Sequence, residues 1–433
     1  MTPLEQVLPP SAELTAEGHL SLGGCDLVAL AEEFGTPLVV YDEGQLRAMC
    51  AAYRSALDAN APGGEVLYAS KAYFGLAMLR LAAEEGMSVD VASGGELHAA
   101  LRAGFPPARI HMHGNAKSRR ELDEALAAGV GTVIVDNLDE IATLGELALA
   151  RGAVQDVLVR VTPGVKPSTH SYISTGQLDS KFGFSIAGGA AAEAVSLARA
   201  TPGVNLIGLH CHIGSQLFDL SAYPAAAAIV ADFASQVGGE DLSVMDMGGG
   251  LGIAYARGDE PASVDTLVET VVDAVRAEWG RVGLAMPKIM LEPGRSIVGR
   301  AGVSVYRVMS IKDVPGIRRY VAVDGGMSDL LRPMLYGAVY ESLLANRAGE
   351  EPAREVRLVG KHCESGDVLV GAARLPEVRP DDLVCLPATG AYGVSMASNY
   401  NGVTRPAVVF VHDGDARLVT RREDYADIVA RDL

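Results

Sequence analysis

Short runs of β-branched and apolar residues alternate along the first 300 residues with longer stretches whose apolar positions recur at helical spacing. Several runs are almost continuously apolar, as expected for parallel strands that are covered on their outer face. The runs are VLYASKA (66–72), MSVDVAS (87–93), RIHMHG (109–114), VGTVIVDN (130–137), DVLVRVTP (156–163), NLIGLHCHIG (205–214), VMDMGGG (244–250) and KIMLEPGRSIV (288–298). This alternation predicts a (β/α)8 TIM barrel over 45–299, an α/β fold, with a doubly wound open sheet as the alternative.

The pattern changes near residue 300, where short β-rich runs follow one another with few long helical stretches between them. These runs are VSVYRVMSI, RYVAVDGG, REVRLVG, DLVCLPA and AVVFVHDG. Such a succession is typical of an antiparallel, β-barrel-like domain. We expect residues 1–44 to pack with 300–433 in this second domain.

Composition narrows the functional class. The chain has 433 residues, a length that suits two domains, and a net charge of −18. No basic stripe is available to neutralise phosphates, so we expect no nucleic-acid partner. No window approaches a membrane-spanning apolar length, and MTPLEQVLPPSAEL does not resemble a signal peptide. Five scattered cysteines without a CxxC pair favour a reducing compartment, so we predict a cytoplasmic location.

Polar residues collect where the predicted barrel strands end, which is where barrel enzymes carry their functional groups. The loops after predicted strands 7 and 8, MGGGLG and EPGR, favour a phosphate site because glycine lets backbone N–H groups approach an anion. In strand order, the residues are Lys71; Asp90 and Ser93; His111 and His113; His210, His212, Gly214 and Ser215; Gly248, Gly249 and Gly250; and Glu292, Pro293, Gly294 and Arg295.

Lys71 lies in YASKAY, and only seven of the 36 basic residues are lysines. Apolar and aromatic neighbours should desolvate its ammonium and lower its pKa, as covalent attachment to a carbonyl compound requires. A solvated surface lysine is the alternative. Of His210 and His212, which lie on one predicted strand, we expect at most one to face the barrel mouth. His113, His212 and Glu292 can be drawn as metal ligands, but no spacing motif supports this, and we predict no metal.

A second group of polar residues lies in the β-rich part of the chain. An arginine suits two-pronged recognition of a carboxylate, a glutamate suits an ammonium group, and a cysteine in a polar loop can donate a proton. The motifs and their residues are DGGMSDLLRPMLYG with Arg332 and Tyr336, HCESGD with Cys363 and Glu364, and TGAYGVSMASNYN with Tyr392. Each residue taken alone is also compatible with an ordinary polar surface.

Together these motifs resemble the diaminopimelate decarboxylases, a family of fold-type III pyridoxal-phosphate enzymes, over roughly residues 35–410. STGQLDSKFGF at 174–184 is also typical of that family. Two stretches depart from its usual pattern. Gly360, Lys361 and His362 precede the cysteine where a Gly-Pro pair is usual, and residues 402–410 are atypical. The other signatures are YASKAY, HCHIGSQ, MGGGLG, EPGR, DGGMSDLLRPMLYGA, CESGD and AYGVSMASNYN.

The resemblance implies pyridoxal 5'-phosphate as the cofactor and a homodimer with shared active sites. The barrel would bind the cofactor, and the β domain would supply substrate-binding and dimer-interface residues. In catalysis, the implied roles are cofactor attachment for Lys71, ring stacking for His212, pairing with the pyridinium nitrogen for Glu292, and proton donation from a partner subunit for Cys363. The implied phosphate and cofactor contacts are Ser215, Gly248, Gly249, Gly250, Gly294, Arg295 and Tyr392. The implied substrate contacts are Arg295, Arg332, Tyr336, Glu364 and Tyr392.

The implied reaction is the decarboxylation of meso-2,6-diaminopimelate to L-lysine and CO2, the last step of lysine biosynthesis. One alternative is the same chemistry on ornithine or a carboxy-polyamine. The CES motif favours the diaminopimelate reaction, because a distal carboxylate needs arginine recognition as well as an acid for the ammonium group. Another alternative is a non-catalytic, decarboxylase-like regulator. Such a regulator would be expected to lack Lys71 or Cys363, and both are present.

Overall fold

The computed structural model describes residues 4–165 and 180–433, which fall into two compact units. The barrel unit comprises Cys50–Gly252 and Pro261–Gly294. The β unit comprises Met1–Met49, Ile253–Glu260 and Arg295–Leu433. Among the described residues, no helix has both the length and the apolar character needed to cross a membrane.

The described strands and helices are numbered in chain order. The strands are β1 Glu13–Leu14, β2 Leu20–Leu22, β3 Cys25–Asp26, β4 Leu38–Asp42, β5 Glu65–Ala69, β6 Ser88–Val91, β7 Ile110–Met112, β8 Thr132–Val135, β9 Gln155–Thr162, β10 Phe184–Ser185, β11 Val204–His210, β12 Val244–Asp246, β13 Lys288–Leu291, β14 Gly302–Val314, β15 Arg318–Val323, β16 Leu343–Leu344, β17 Arg354–Val359, β18 Val368–Leu375, β19 Leu383–Leu386, β20 Ala407–His412 and β21 Asp415–Thr420. The helices are α1 Leu27–Phe34, α2 Glu43–Asn60, α3 Leu76–Glu84, α4 Gly94–Ala103, α5 Arg119–Ala128, α6 Leu138–Ala150, α7 Ala190–Ala200, α8 Ala222–Gln236, α9 Val264–Arg281, α10 Arg295–Val298, α11 Arg332–Tyr336 and α12 Tyr425–Val429.

The barrel unit is a closed ring of parallel strands in the order β9-β11-β12-β13-β5-β6-β7-β8, and β8 pairs with β9 to complete it. The predicted barrel is therefore confirmed, and the open-sheet alternative is wrong. Strands β8 and β12 are buried along their whole length, which explains their nearly continuous apolar sequences.

Local sequence signals fix where the barrel helices begin and end. Ser93 accepts a hydrogen bond from the N–H of Glu96 at the start of α4, and Ser118 forms a capping box with Glu121 at the start of α5. Such caps stabilise a helix by about 1 kcal/mol each. Both caps lie in the connections that follow barrel strands, Ser93 after β6 and Ser118 after β7, so the helices begin on the side of the strand ends that carry the polar residues.

The β unit contains a sheet in the order β18-β17-β15-β14-β4-β20-β21, with β19 paired to β14 and β16 paired to β19. Most of its pairings are antiparallel, as predicted, although β4 runs parallel to β20 and β15 runs parallel to β17. Strand β4 lies between β14 and β20, so the N-terminal part of the chain is built into this sheet. Val40, Val305 and Val409 are fully buried in its core, and each such side chain contributes about 1.5–3 kcal/mol.

Candidate active site

A group of buried polar side chains lies where four barrel strands end. His113 follows β7, His210 ends β11, Asp246 ends β12 and Glu292 follows β13. Nε2 of His113 is 2.8 Å from Oε1 of Glu292, and Nε2 of His210 is 3.4 Å from the same carboxylate. The two imidazole rings meet edge to face with their centroids 5.1 Å apart. Glu292 is thus held between two imidazoles in the interior of the unit.

The electrostatics of this group concentrate negative charge on Glu292. Burial alone would raise the pKa of Glu292, but His113 and His210 outweigh it and hold that pKa well below its ordinary value. Burial and the nearby Glu292 raise the pKa of Asp246 well above its ordinary value, so Asp246 keeps its proton. Burial also raises the pKa of Asp90 to about 6, against the opposing effect of His113. Glu292 is therefore the carboxylate of this buried group that holds its charge most firmly, whereas Asp246 is protonated.

The same group also meets the geometric requirement for a metal site. Ligand atoms of His113, His210, Asp246 and Glu292 lie within 4.8 Å of one another. Within this group, the imidazoles of His113 and His210 both face the carboxylate of Glu292.

The loop after β12 has the geometry of an anion cradle. Gly248 and Gly250 have φ values of 68° and 132°, which side chains rarely adopt. A Cβ on Gly249 would collide with the carbonyl oxygen of Glu292, so residue 249 must also be glycine. The N–H of Gly249 points to Nδ1 of His212 at 3.3 Å. Because these three residues carry no side chains of their own, the loop is suited to close approach of an anion, such as the phosphate of the predicted cofactor.

Two further loops flank this cradle. Leu217 donates its N–H to the carbonyl of Gly250 at 2.9 Å, which ties the half-buried Ser215 loop to the glycine loop. At the end of β13, a Cβ on Gly294 would come within 3.0 Å of the Cβ of Ala69, two residues before Lys71. The structure thus brings together the Lys71, Ser215, glycine and Gly294 segments that the sequence singled out.

Lys71 lies in the turn Ser70–Ala72 that directly follows β5. The turn is held by a hydrogen bond from the hydroxyl of Tyr68 to the carbonyl of Tyr73 at 2.8 Å. Residues 70, 72 and 73 are buried, whereas Lys71 itself is exposed. The sequence neighbours of Lys71 therefore do not bury it, contrary to expectation, but its ammonium lies close enough to act electrostatically on Asp90 and His212.

The barrel histidines divide between the two ends of the strands. Both His210 and His212 lie in the electrostatic environment of Glu292, so the expectation that at most one of them faces the barrel mouth is wrong. Residues two apart in a strand share a face. Burial, helped by Lys71, lowers the pKa of His212 well below its ordinary value, so its ring is neutral and suited to stacking. His111 contacts Glu65, the first residue of β5, at 3.0 Å. His111 therefore lies toward the N-terminal ends of the strands. The prediction that it belongs to the functional, C-terminal end is wrong.

In the β unit, two arginines lie among tyrosine rings. Arg295 opens α10 and donates to the hydroxyl of Tyr255 at 2.5 Å, and its guanidinium carbon lies 4.9 Å from the ring centre of Tyr392. Arg332 opens α11, donates to the hydroxyl of Tyr340, and lies 4.6 Å above the ring of Tyr255. Both arginines are buried. This arrangement concentrates positive charge within an aromatic shell and is suited to binding an anion.

Tyr392 has φ +67°, a left-handed conformation that is strained for a tyrosine. Its ring, half-buried, faces the Arg295 guanidinium. Tyr336, the last residue of α11, is 43% exposed, unlike Arg332 at the start of the same helix. The two predicted substrate residues of DGGMSDLLRPMLYG therefore differ in burial.

Cys363 and Glu364 lie on an exposed loop. The backbone N–H of Cys363 donates to Oδ1 of Asn401 at 2.8 Å. His362, one of the atypical residues before the cysteine, is buried and contacts Asp367 through Nδ1 at 2.7 Å. The atypical sequence therefore builds a fixed turn that presents Cys363 outward. Of the 174–184 stretch, residues 174–179 lie outside the described part of the chain.

Sequence reasoning missed Asp246, Tyr255 and Tyr340. Asp246 directly precedes the glycine triplet, so its position at a strand end was a usable signal. Tyr340 lies eight residues after Arg332, and this spacing did not predict that the two side chains are in contact. Tyr255 lies in Ile253–Glu260, which reads along the sequence as a barrel loop but belongs to the β unit.

Comparisons with known proteins agree with this site. Residues 43–299 match the family described as pyridoxal-dependent decarboxylase, pyridoxal binding domain. The chain is 49% identical over 423 residues to a diaminopimelate decarboxylase of Bacillus subtilis, covering 96% of this chain and 95% of that one. It is 46% identical over 439 residues to the diaminopimelate decarboxylase of Mycobacterium tuberculosis, covering 99% and 98%.

A solved structure of a diaminopimelate decarboxylase is also similar to this chain. The diaminopimelate decarboxylase from M. jannaschii in co-complex with L-lysine is similar with a TM-score of 0.91 and 34% identity, covering 98% of each chain. The family and the pyridoxal cofactor predicted from the sequence are confirmed. The chain belongs to the diaminopimelate decarboxylase family of pyridoxal-dependent decarboxylases.

Proposed function

We propose that this enzyme decarboxylates meso-2,6-diaminopimelate to L-lysine and CO2, the last step of lysine biosynthesis. The observation that carries the chemistry is the buried, ionised Glu292 between His113 and His210. When bound, pyridoxal phosphate supplies an electron-poor ring that accepts the electron pair left by the departing carboxylate. Glu292 would hold a proton on the ring nitrogen, which keeps the ring electron-poor.

The cofactor-binding roles follow the geometry of the barrel unit. Lys71 would attach the cofactor covalently, and the neutral ring of His212 would stack on it. The glycine cradle Gly248–Gly250 would bind its phosphate, and the positive φ of Gly248 and Gly250 together with the tight approach at Gly249 supports a requirement for glycine there. Further contacts would come from Ser215, Gly294, Arg295 and Tyr392.

The substrate-binding roles follow from charge. Arg295 and Arg332 are buried cations in an aromatic shell and would bind a carboxylate of the substrate. Glu364 would bind an ammonium group, and Tyr336 and Tyr392 would line the substrate. The similar enzyme from M. jannaschii forms a co-complex with L-lysine, the proposed product here. A substrate without a distal carboxylate, such as ornithine, would leave a buried guanidinium uncompensated, which is costly.

The remaining catalytic role concerns a proton. We propose that the thiol of Cys363 returns a proton to the carbon that has lost CO2, and that this thiol comes from a partner subunit of a homodimer. The exposure of Cys363 on an outward-facing turn supports a role in trans. We also propose a cytoplasmic location, on the basis of the widely spaced cysteines.

The test is release of CO2 from a panel of amino acids by the holoenzyme, with Lys71→Ala as the control for contaminating activity. We expect turnover of meso-diaminopimelate and little or none of L-lysine, L-ornithine or L-arginine. Turnover of ornithine comparable with that of diaminopimelate would reject the proposed substrate in favour of the ornithine alternative. No turnover of any substrate by well-folded holoenzyme would favour a regulator.

A further inference from the structure

Arg332 is a buried cation whose described contacts are aromatic. It is 7% exposed, and among residues 4–165 and 180–433 no carboxylate lies within ion-pair distance of it. Its contacts are the hydroxyl and ring of Tyr340 and the ring of Tyr255. A buried guanidinium needs compensation, and an aromatic face supplies only about 0.5–2 kcal/mol of it. The surroundings of Arg332 therefore orient its charge more than they neutralise it.

Tyr255 is the centre of this group. Its ring centre lies 4.6 Å from the guanidinium carbon of Arg332 and 5.7 Å from that of Arg295. Its hydroxyl accepts a hydrogen bond from Arg295 at 2.5 Å. One side chain, itself 7% exposed, thus contacts both arginines and fixes their separation.

Tyr340 fixes the second guanidinium from another side. It accepts a hydrogen bond from Nη1 of Arg332 and packs edge to face on Tyr255, with ring centres 5.3 Å apart at 85°. Burial raises the pKa of Tyr340 above its ordinary value, although Arg332 acts in the opposite direction, so the phenol keeps its proton. The hydroxyl can therefore accept from Arg332 and still donate to a bound anion.

We propose that Tyr255 and Tyr340 are positioning residues that hold Arg295 and Arg332 as one carboxylate-binding pair, and that they determine the preference for a carboxylate at the far end of the substrate. This inference rests on the proposed function for the identity of the substrate. It does not rest on it for the binding of a carboxylate, which can be measured separately.

Cadaverine and L-lysine are the appropriate probes, because cadaverine is L-lysine without its carboxylate. The ratio of their dissociation constants on the holoenzyme, measured by calorimetry, isolates the contribution of that carboxylate. The variants are Tyr340→Phe and Tyr255→Phe, which keep the ring and remove the hydroxyl, and Tyr255→Leu, which removes the ring. Tyr41→Phe is the matched control, since it removes another buried hydroxyl of the β unit, one that donates to the carbonyl of Gly390 at 2.6 Å.

We expect the wild-type preference for L-lysine to fall about tenfold in each Phe variant, as for the loss of one hydrogen bond to a charged group, and further in Tyr255→Leu. Cadaverine binding should stay within about twofold in the Phe variants, because cadaverine has no carboxylate for the arginines to bind. Tyr41→Phe should keep the wild-type ratio, because Tyr41 contacts neither arginine. If Tyr255→Leu does not fold, as judged by thermal unfolding, the two Phe variants decide the question.

An unchanged ratio in folded Phe variants would overturn the inference, as would a wild-type enzyme that binds both probes equally well. Equal losses for both probes would also overturn it, because a general packing defect would then explain the effect. If the ratio falls as expected but the wild-type enzyme does not decarboxylate meso-diaminopimelate, the positioning role stands and the proposed substrate is wrong.

Discussion

Oε1 of Glu292 lies 2.8 Å from Nε2 of His113, and both side chains are less than one-tenth exposed. The two residues follow β13 and β7, strands that do not pair directly and are separated in the closed ring by β5 and β6 on its shorter side. The charge on Glu292 therefore depends on a histidine from a distant part of the ring. His113 lowers the pKa of Glu292 against the effect of burial, so His113 helps to keep this carboxylate ionised.

We predict that His113→Leu raises the pKa of Glu292 and lowers kcat/KM at neutral pH. Loss of one hydrogen bond to a charged group costs about 1.5–3 kcal/mol, which corresponds to about a tenfold to hundredfold decrease. Glu292 has a depressed pKa in the native protein, so its ionised form is lost as pH falls through that pKa. In the variant this loss moves to higher pH, and activity should recover as pH rises. The measurement is kcat/KM from pH 6 to 9.

His111→Leu is the matched control for this experiment. It removes a buried barrel histidine that contacts Glu65 at the opposite ends of the strands. This variant should lower stability without moving the pH profile of kcat/KM. A profile for His113→Leu that coincides with that of the wild type would contradict the assigned role of His113.

The sequence was informative wherever a site residue directly follows a strand. Glu292 and the Gly248–Gly250 cradle could be located because strand-end position and residue type agree. The pairing of Glu292 with His113 could not be predicted, because it depends on how the ring of strands closes. His111 and His113 lie two residues apart, a spacing that places strand residues on the same face, so the run RIHMHG does not show that His111 pairs with Glu65 and His113 with Glu292.

The exposure of Lys71 and the position of Tyr255 show a second limit. Apolar neighbours in YASKAY predict burial of the segment, but the direction of one side chain depends on the turn that follows β5. Tyr255 reads as part of a barrel loop, whereas the chain enters the β unit over Ile253–Glu260. The arginine–tyrosine cluster therefore became apparent only from the three-dimensional arrangement.

We predict that Lys71 is the residue that attaches the cofactor covalently. Borohydride reduction of the holoenzyme followed by trypsin digestion should place a pyridoxyl group on the peptide covering 55–80, because a modified Lys71 is no longer cleaved. Lys117, which is buried in an ion pair with Glu140, should stay unlabelled. A label on any lysine other than Lys71 would reject the assignment.

The buried pair of Lys117 and Glu140 gives a prediction about stability. Nζ of Lys117 lies 2.8 Å from Oε1 of Glu140, and each side chain is 1% exposed. We predict that Lys117→Met destabilises the protein by about 3–5 kcal/mol near pH 8, because it leaves a buried carboxylate without its partner. The measurement is the urea concentration at the midpoint of unfolding.

The pH dependence of that variant tests the cause. Burial raises the pKa of Glu140 to about 7 even though Lys117 opposes it. Because this pKa is raised in the folded state, the contribution of Glu140 to stability is complete below its unfolded pKa and is lost as pH rises through about 7. Without Lys117 the pKa should rise further, so the deficit of Lys117→Met should shrink between pH 8 and pH 6. A deficit that is independent of pH would indicate lost packing instead, and Lys117→Met combined with Glu140→Leu should recover most of the stability.

Shared active sites give the last prediction, which combines two inactive variants, Lys71→Ala and Cys363→Ala. If Cys363 acts in trans, a heterodimer of the two variants contains one site with both residues intact and one site with neither. With equal mixing and free exchange, about a quarter of the wild-type activity should return, because half of the dimers are heterodimers. The measurement is CO2 release from meso-diaminopimelate after mixing, with subunit exchange followed by mass spectrometry of intact dimers.

Two controls make the result decisive. Each variant alone must be inactive. Mixing Lys71→Ala with Glu292→Gln should restore no activity, because Lys71 and Glu292 both belong to the barrel unit of one chain and every site would lack one of them. If Cys363 acted in cis, every heterodimer would contain two defective sites, and mixing would likewise restore nothing. The absence of recovery despite demonstrated exchange would therefore place Cys363 in the same chain as the Lys71 it serves, while the role of Glu292 would be unaffected.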